Sequence, residues 1–221
     1  MEIKLVKKTH SKNNNIIQLF SAESSCNTKN KTILIIGVFH GDEPEGEDLI
    51  HNLIAKMQRT PELIGNNCIL FIPCLNPDGK DLKTRTNANG VDLNRNFPTK
   101  NWELSEIKDS YYSGIAPASE IETKFLTEVI DEYKPDRILT LHTPYRVVNY
   151  DGPAKEIAEE ISKLNGYTVQ ESIGYPTPGS FGTYAGIERN IPTITLELPE
   201  NESIENLWNN NKEVFYYFVV A

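Results

Sequence analysis

Ile33-Leu34-Ile35-Ile36-Gly37-Val38-Phe39 is an apolar run with no polar break, and it ends at His40-Gly41-Asp42-Glu43, where Pro44 opens a helical pattern that reaches about Met57. Such a run reads as a strand buried on both faces. Proline suits the first turn of a helix, where its missing N–H has no partner to lose. A strand delivered through a turn into a helix projects its last residues into the crevice at the carboxyl edge of an open α/β sheet.

The same order recurs along the chain. Residues 67–73, 137–141 and 193–198 are further apolar strands, while 119–133, 153–164 and 204–219 carry helical periodicity. Ser119 is placed as an N-cap to Glu122, and Pro135 stops that helix. Short β-rich pieces at 3–6 and 16–20 come first, Pro77-Asp78-Gly79 marks a turn, and 80–114 reads as a long irregular connection. Long connections inside compact domains tend to be functional. Alternating strands and helices predict an α/β single-domain three-layer sandwich over 1–221, with a mixed, mainly parallel twisted sheet and helices on both faces.

The formal net charge of −9 argues against phosphate backbones and anionic membrane surfaces as partners. No stretch reaches transmembrane length, and Met1-Glu2-Ile3-Lys4-Leu5-Val6-Lys7-Lys8 lacks a signal-peptide apolar region, so a cytoplasmic protein with no nucleic-acid or membrane partner is the expectation. Cys26, Cys68 and Cys74 have no metal-finger spacing and read as reduced thiols.

The chemistry gathers at strand ends. His40 and Glu43 lie three residues apart behind one apolar strand, and His142 ends the run Arg137-Ile138-Leu139-Thr140-Leu141 in the same way. Two His and one Glu form a known ligand set for catalytic zinc, with one position left for water. A lone histidine is more often a satisfied polar residue, and His10 and His51, without such a pattern, serve as controls. Glu197 is the one carboxylate in the apolar strand Thr193-Ile194-Thr195-Leu196-Glu197-Leu198. Burying it unpaired costs several kcal/mol, roughly, so it either points to solvent at the strand's end or serves as the base that takes a proton from water activated by the metal, and the second reading is favoured. In the irregular connection, Arg85 is a fixed cation, and Asn94 with Arg95 offers an amide and a guanidinium fork for a carboxylate.

Together with Asn76-Pro77-Asp78-Gly79, Lys83-Thr84-Arg85, Gly90-Val91-Asp92-Leu93-Asn94-Arg95-Asn96-Phe97, and Ser113-Gly114 followed by Ser119-Glu120-Ile121-Glu122-Thr123, these residues resemble the zinc carboxypeptidases of the carboxypeptidase A type, the M14 family, over about residues 33 to 198. The resemblance implies one Zn2+ on His40, Glu43 and His142, with Glu197 as general base. It also implies Arg85 at the oxyanion, and Asn94 with Arg95 on the terminal carboxylate of a small peptide. The Gly/Pro-rich stretch 174–186 and the small size are similar to the bacterial murein peptide amidase branch, which releases meso-diaminopimelate from L-Ala-γ-D-Glu-meso-diaminopimelate during wall recycling. Tyr175 and Tyr184 are two candidates for a tyrosine over the substrate, the turn at Ser180 for shaping the pocket, and Arg146 for a further contact. A zinc acyl-amino-acid deacylase of the aspartoacylase or succinylglutamate desuccinylase kind and a carboxypeptidase of other specificity are the enzymatic alternatives. A non-catalytic binding module is disfavoured by the complete ligand set. The sequence leaves the oligomeric state open.

Overall fold

Four apolar strands make the centre of the sheet. In the computed structural model, which describes residues 2–23, 31–105, 109–172 and 174–220, they are β3 (Thr32–Ile36), β4 (Cys68–Ile72), β5 (Arg137–His142) and β8 (Thr193–Pro199). They lie side by side and parallel in the order β4-β3-β5-β8. The long strands β1 (Ile3–His10) and β2 (Ile16–Glu23) extend the sheet antiparallel beyond β4, and β6 (Tyr145–Asp151) and β7 (Thr168–Gln170) extend it beyond β8. The result is one mixed eight-stranded sheet, as the element order predicts.

The two-residue period of a strand sorts the side chains into two cores. Ile33, Ile35, Phe71, Leu139, Leu141, Ile194 and Leu196 face α1 (Glu45–Arg59), α4 (Lys155–Asn165) and α5 (Ile204–Val220), and meet Leu49, Leu53, Ile161 and Phe215. Leu34, Ile36, Leu70, Ile72 and Ile138 face the other way, onto Phe125, Leu126 and Val129 of α3 (Ile121–Tyr133) and onto Leu93, Phe97 and Phe181. Full burial of each such side chain contributes about 1.5–3 kcal/mol, and the two-sided cover makes the three-layer sandwich.

Several local expectations are corrected. The strand β3 stops at Ile36, because Gly37 and Val38 turn their backbone toward Leu75 and Asn76. Pro77-Asp78-Gly79 opens a short helix, α2 (Pro77–Leu82), capped by the Asn76 side chain, which accepts from the Gly79 N–H. The Ser119 hydroxyl donates to Glu120 and caps nothing, so α3 begins at Ile121 with no side-chain cap. The strands β6 and β7 were not anticipated. Cys68 is buried and Cys74 half-buried, with its thiol pushed up to about 12 by burial, which suits an inert thiol. Cys26 lies outside the described residues.

Candidate active site

Register builds the centre of the site. His142 on β5 pairs directly with Glu197 on β8, and both project from the carboxyl ends of their strands on the face that carries α3. Next to them, His40-Gly41-Asp42-Glu43 leaves β3 and enters α1. Gly41 is required there: a Cβ at this position would lie 1.9 Å from the backbone carbon of Gly79. The two motifs His-Gly-Asp-Glu and Asn-Pro-Asp-Gly are therefore packed backbone to backbone.

The Glu43 carboxylate faces both imidazoles, with Oε1 at 2.8 Å from His40 Nδ1 and Oε2 at 2.8 Å from His142 Nδ1. All three donors lie within 4.8 Å of one another, and all three residues are buried. Among the described residues this is the one group of three or more His, Cys, Asp or Glu side chains that converges in this way. The donor set, two imidazole nitrogens and one carboxylate converging at one point, fits zinc.

Behind it stands Asp92, a residue that the sequence reading passed over. Fully buried, it approaches His40 Nε2 at 3.2 Å and accepts from Arg85 Nε and Nη2, both at 3.0 Å, and from the Asn94 backbone N–H. A carboxylate behind a ligating histidine fixes ring orientation and tautomer. Burial opposes its charge, yet His40 and Arg85 outweigh burial and hold the Asp92 carboxyl well below the usual range. Glu43 is held low in the same way, with His40 and His142 overcoming desolvation. Burial disfavours the charged form of His40, but Glu43 and Asp92 draw it up to about 9, so the cluster collects positive charge that a divalent cation would supply instead.

Glu197 behaves differently. Burial, and then repulsion from Glu43, push its carboxyl up to about 8, and Oε2 has no hydrogen-bond partner. A carboxyl poised near neutrality beside a metal site suits proton transfer in both directions.

The structure brings most of the anticipated residues to one cavity of about 220 Å³, whose walls include His40, Glu43, Arg85, Asn94, Arg95, His142, Tyr175 and Glu197. Asn94 is aimed by Phe181, whose backbone N–H donates to Oδ1 at 2.8 Å and leaves the amide nitrogen free to turn outward. Ser180 lies not here but in an adjoining polar cavity, its hydroxyl spent on Thr183, while Tyr175 touches both cavities.

Two anticipated residues are elsewhere. Tyr184 is 1 % exposed, packed against Phe97 with the Arg189 guanidinium stacked on its ring, so it belongs to the core and cannot reach a ligand. Arg146 points to the opposite face of β6 and lies over Tyr167, because alternate residues of that strand, Val148 and Tyr150, belong to the α4–α5 core. The adjoining cavity reveals another residue that was missed, Asp151, which lines it with Asn149, Thr195 and Glu197.

Comparison with known proteins agrees with this geometry. The model of the zinc carboxypeptidase family matches residues 2–217. Murein peptide amidase A of Escherichia coli (strain K12) is 35 % identical over 183 residues, which cover 78 % of this chain and 73 % of that protein. The crystal structure of a murein-tripeptide amidase from Escherichia coli O157 superposes with a TM-score of 0.78 at 28 % identity, covering 96 % of this chain and 90 % of the other. Carboxypeptidase A from Helicoverpa armigera shares the fold, with a TM-score of 0.79 at 17 % identity over 99 % of this chain and 69 % of its own. By family match, sequence identity and fold together, the chain belongs to the zinc carboxypeptidases and is a zinc-dependent hydrolase.

Proposed function

We propose that the chain hydrolyses a C-terminal amide bond of a short murein peptide and releases an amino acid of the diaminopimelate kind, in cytoplasmic wall-peptide recycling. The likeness to the murein peptide amidases supports the branch. No helix among the described residues is long and apolar enough to cross a membrane.

The observation that carries the substrate reading is Asp151. Its carboxylate borders the cavity beside Glu197, and its only resolved perturbation is desolvation, which pushes it up to about 6. Room for it is made by Gly182 and Gly186, where a Cβ would fall 2.1 and 2.4 Å from Asp151 side-chain atoms. A carboxylate placed in a cavity with no partnering cation among the described residues suits a ligand that brings one. Diaminopimelate carries an ammonium beside a second carboxylate on its far end, and Asp151 would meet the ammonium; the leaving residue of an ordinary apolar specificity has none.

When bound on His40, Glu43 and His142, zinc supplies a Lewis acid that polarises a carbonyl and brings the pKa of water toward 7. The chain's own residues do the rest. The unpartnered Oε2 of Glu197 accepts the proton from the attacking water and passes it to the departing amine. Arg85, held by Asp92 through Nε and Nη2, turns Nη1 toward the metal ligands, 3.3 Å from His40 Nδ1, and from there stabilises the oxyanion that forms on the scissile carbonyl. Asn94 and Arg95 receive the terminal carboxylate.

Incubation with murein tripeptide is expected to release free diaminopimelate, identified by mass spectrometry, with no turnover of N-acetylaspartate or succinylglutamate. Cleavage confined to ordinary L-peptides would remove the murein assignment and leave a zinc peptidase. Turnover of the acylated amino acids alone would favour the deacylase.

Asp151 makes two further predictions. A charged hydrogen bond is worth about 1.5–3 kcal/mol, so Asp151→Asn should lower kcat/KM about 10- to 100-fold for a leaving residue that bears a side-chain ammonium, and less than about threefold for a neutral one of similar length. Equal losses on both would refute the ammonium contact. The same variant reports on stability. The folded carboxyl binds its proton more tightly than the unfolded one, so the wild type loses stability as pH rises from about 4 to about 6. The variant, which has no such group, should match the wild type near pH 4 and unfold at a higher temperature at pH 7. The gain is at most about 3 kcal/mol, from roughly two pKa units. A Tm difference that does not change between pH 4 and 7 contradicts this origin.

A further inference from the structure

Tyr111 takes no part in the chemistry above. The residue is 49 % exposed and borders the catalytic cavity. The guanidinium carbons of Arg85 and Arg95 lie 5.0 and 5.6 Å from the centroid of this one ring. The turn that carries the ring is braced at three points. The Tyr111 backbone N–H donates to Asp109, the Tyr112 carbonyl accepts from the Asp92 N–H, and the Ser113 hydroxyl donates to the Glu103 carbonyl.

Two guanidinium groups facing one cavity repel each other, and each has an acceptor that competes for it. Arg85 Nη1 lies 3.7 Å from Glu43 Oε1, and Arg95 Nη1 donates to the Asn94 carbonyl at 2.7 Å. An aromatic face attracts a cation through its quadrupole and consumes no N–H in doing so. A carboxylate at position 111 would neutralise the arginines and occupy their donors, whereas an aliphatic side chain would leave only Asp92 to offset their repulsion. The ring does neither: it satisfies both cations while leaving N–H groups available to an incoming anion.

We propose that Tyr111 is a positioning residue, whose ring sets Arg85 and Arg95 in the orientation that receives an anionic group of the ligand. The proposal rests on the reading that these two arginines meet the substrate. It differs from that reading in locating part of the affinity on a residue that need not touch the ligand. It assigns the effect to the ring face and none to the hydroxyl.

The test compares zinc-loaded wild type, Tyr111→Phe and Tyr111→Leu. Succinate binding is measured by calorimetry, kcat and KM on murein tripeptide by steady-state kinetics, and folding by Tm. Exposed cation–π contacts are worth a few-fold each, so the loss of two in Tyr111→Leu should weaken succinate binding and raise KM by about tenfold. Because Arg85 also serves the oxyanion, kcat should fall by a few-fold as well, while Tm changes by no more than a degree or two. Tyr111→Phe should stay within about twofold of wild type throughout. The proposal is overturned if Tyr111→Leu binds succinate like the wild type, or if Tyr111→Phe is as weak as Tyr111→Leu, which would assign the effect to the hydroxyl. A wild type that binds succinate but releases no diaminopimelate counts against the proposed substrate alone, since the succinate comparison still decides the role of the ring.

Discussion

Glu197→Gln should bind zinc as the wild type does and turn over murein tripeptide about a thousandfold more slowly or worse, the scale of a lost general base. Glutamine fills the same space between His142 and the polar cavity, and Glu197 is not one of the three converging donors, so metal content should be unaffected. What the amide cannot do is accept a proton. His142→Ala gives the contrast, because it deletes a donor and should lose zinc and turnover together. Metal analysis of both variants, beside kcat, separates the roles. A purified Glu197→Gln protein with retained hydrolysis would exclude Glu197 as the base, and one that had lost its zinc would show that Glu197 helps to hold the metal.

A second large effect is expected from a residue that touches neither metal nor substrate. Asp92→Asn keeps the volume but removes a fully buried negative charge that faces His40 and Arg85. Loss of the carboxylate behind a ligating histidine typically costs 10- to 100-fold in metal affinity or activity. Breaking a buried ion pair by deleting one partner costs about 3–5 kcal/mol; Arg85 retains some access to solvent, so about 3 kcal/mol is the appropriate scale here. Competition with a chelator should show the weaker zinc binding, and denaturant unfolding of the metal-free protein should show the stability loss. Wild-type values in both measurements would mean that His40 and Arg85 are fixed without Asp92.

His40, Glu43, His142 and Glu197, the proposed ligands and base, were legible in the sequence because each breaks an otherwise apolar strand pattern at or near its carboxyl end, where polarity has no packing reason. Asp92, Tyr111 and Asp151 carried no such contrast. The first two lie in a connection rich in polar residues, where periodicity says nothing. Asp151 ends β6, whose inward positions Asn149 and Asp151 are polar because they line a cavity, and that polarity concealed the strand itself. The turn and helix readings of Pro77-Asp78-Gly79 draw on the same residue preferences, and only the Asn76 cap decides between them. Tyr175 and Tyr184 belong to one Gly/Pro-rich stretch, yet one borders the cavity while the other, in the helical turn Thr183–Ile187, fills the core.

The direct pairing of His142 with Glu197 has a consequence for how such a protein can change. Both residues hang from the hydrogen-bond ladder between two central strands, and a slip of either strand by one residue would turn its side chain through the sheet and away from the other. That ladder is buried and should be among the last to exchange its amide protons with deuterium. Arg85, Arg95, Tyr111 and Tyr175 instead stand on connecting segments, which tolerate insertion and substitution far better. The proposed base and the His142 ligand are thereby insulated from the part of the recognition surface that Tyr111 and Tyr175 supply. New leaving groups are reachable by substitution at Tyr111 and Tyr175, with Arg85 and Asp92 kept, while the ladder between β5 and β8 remains untouched.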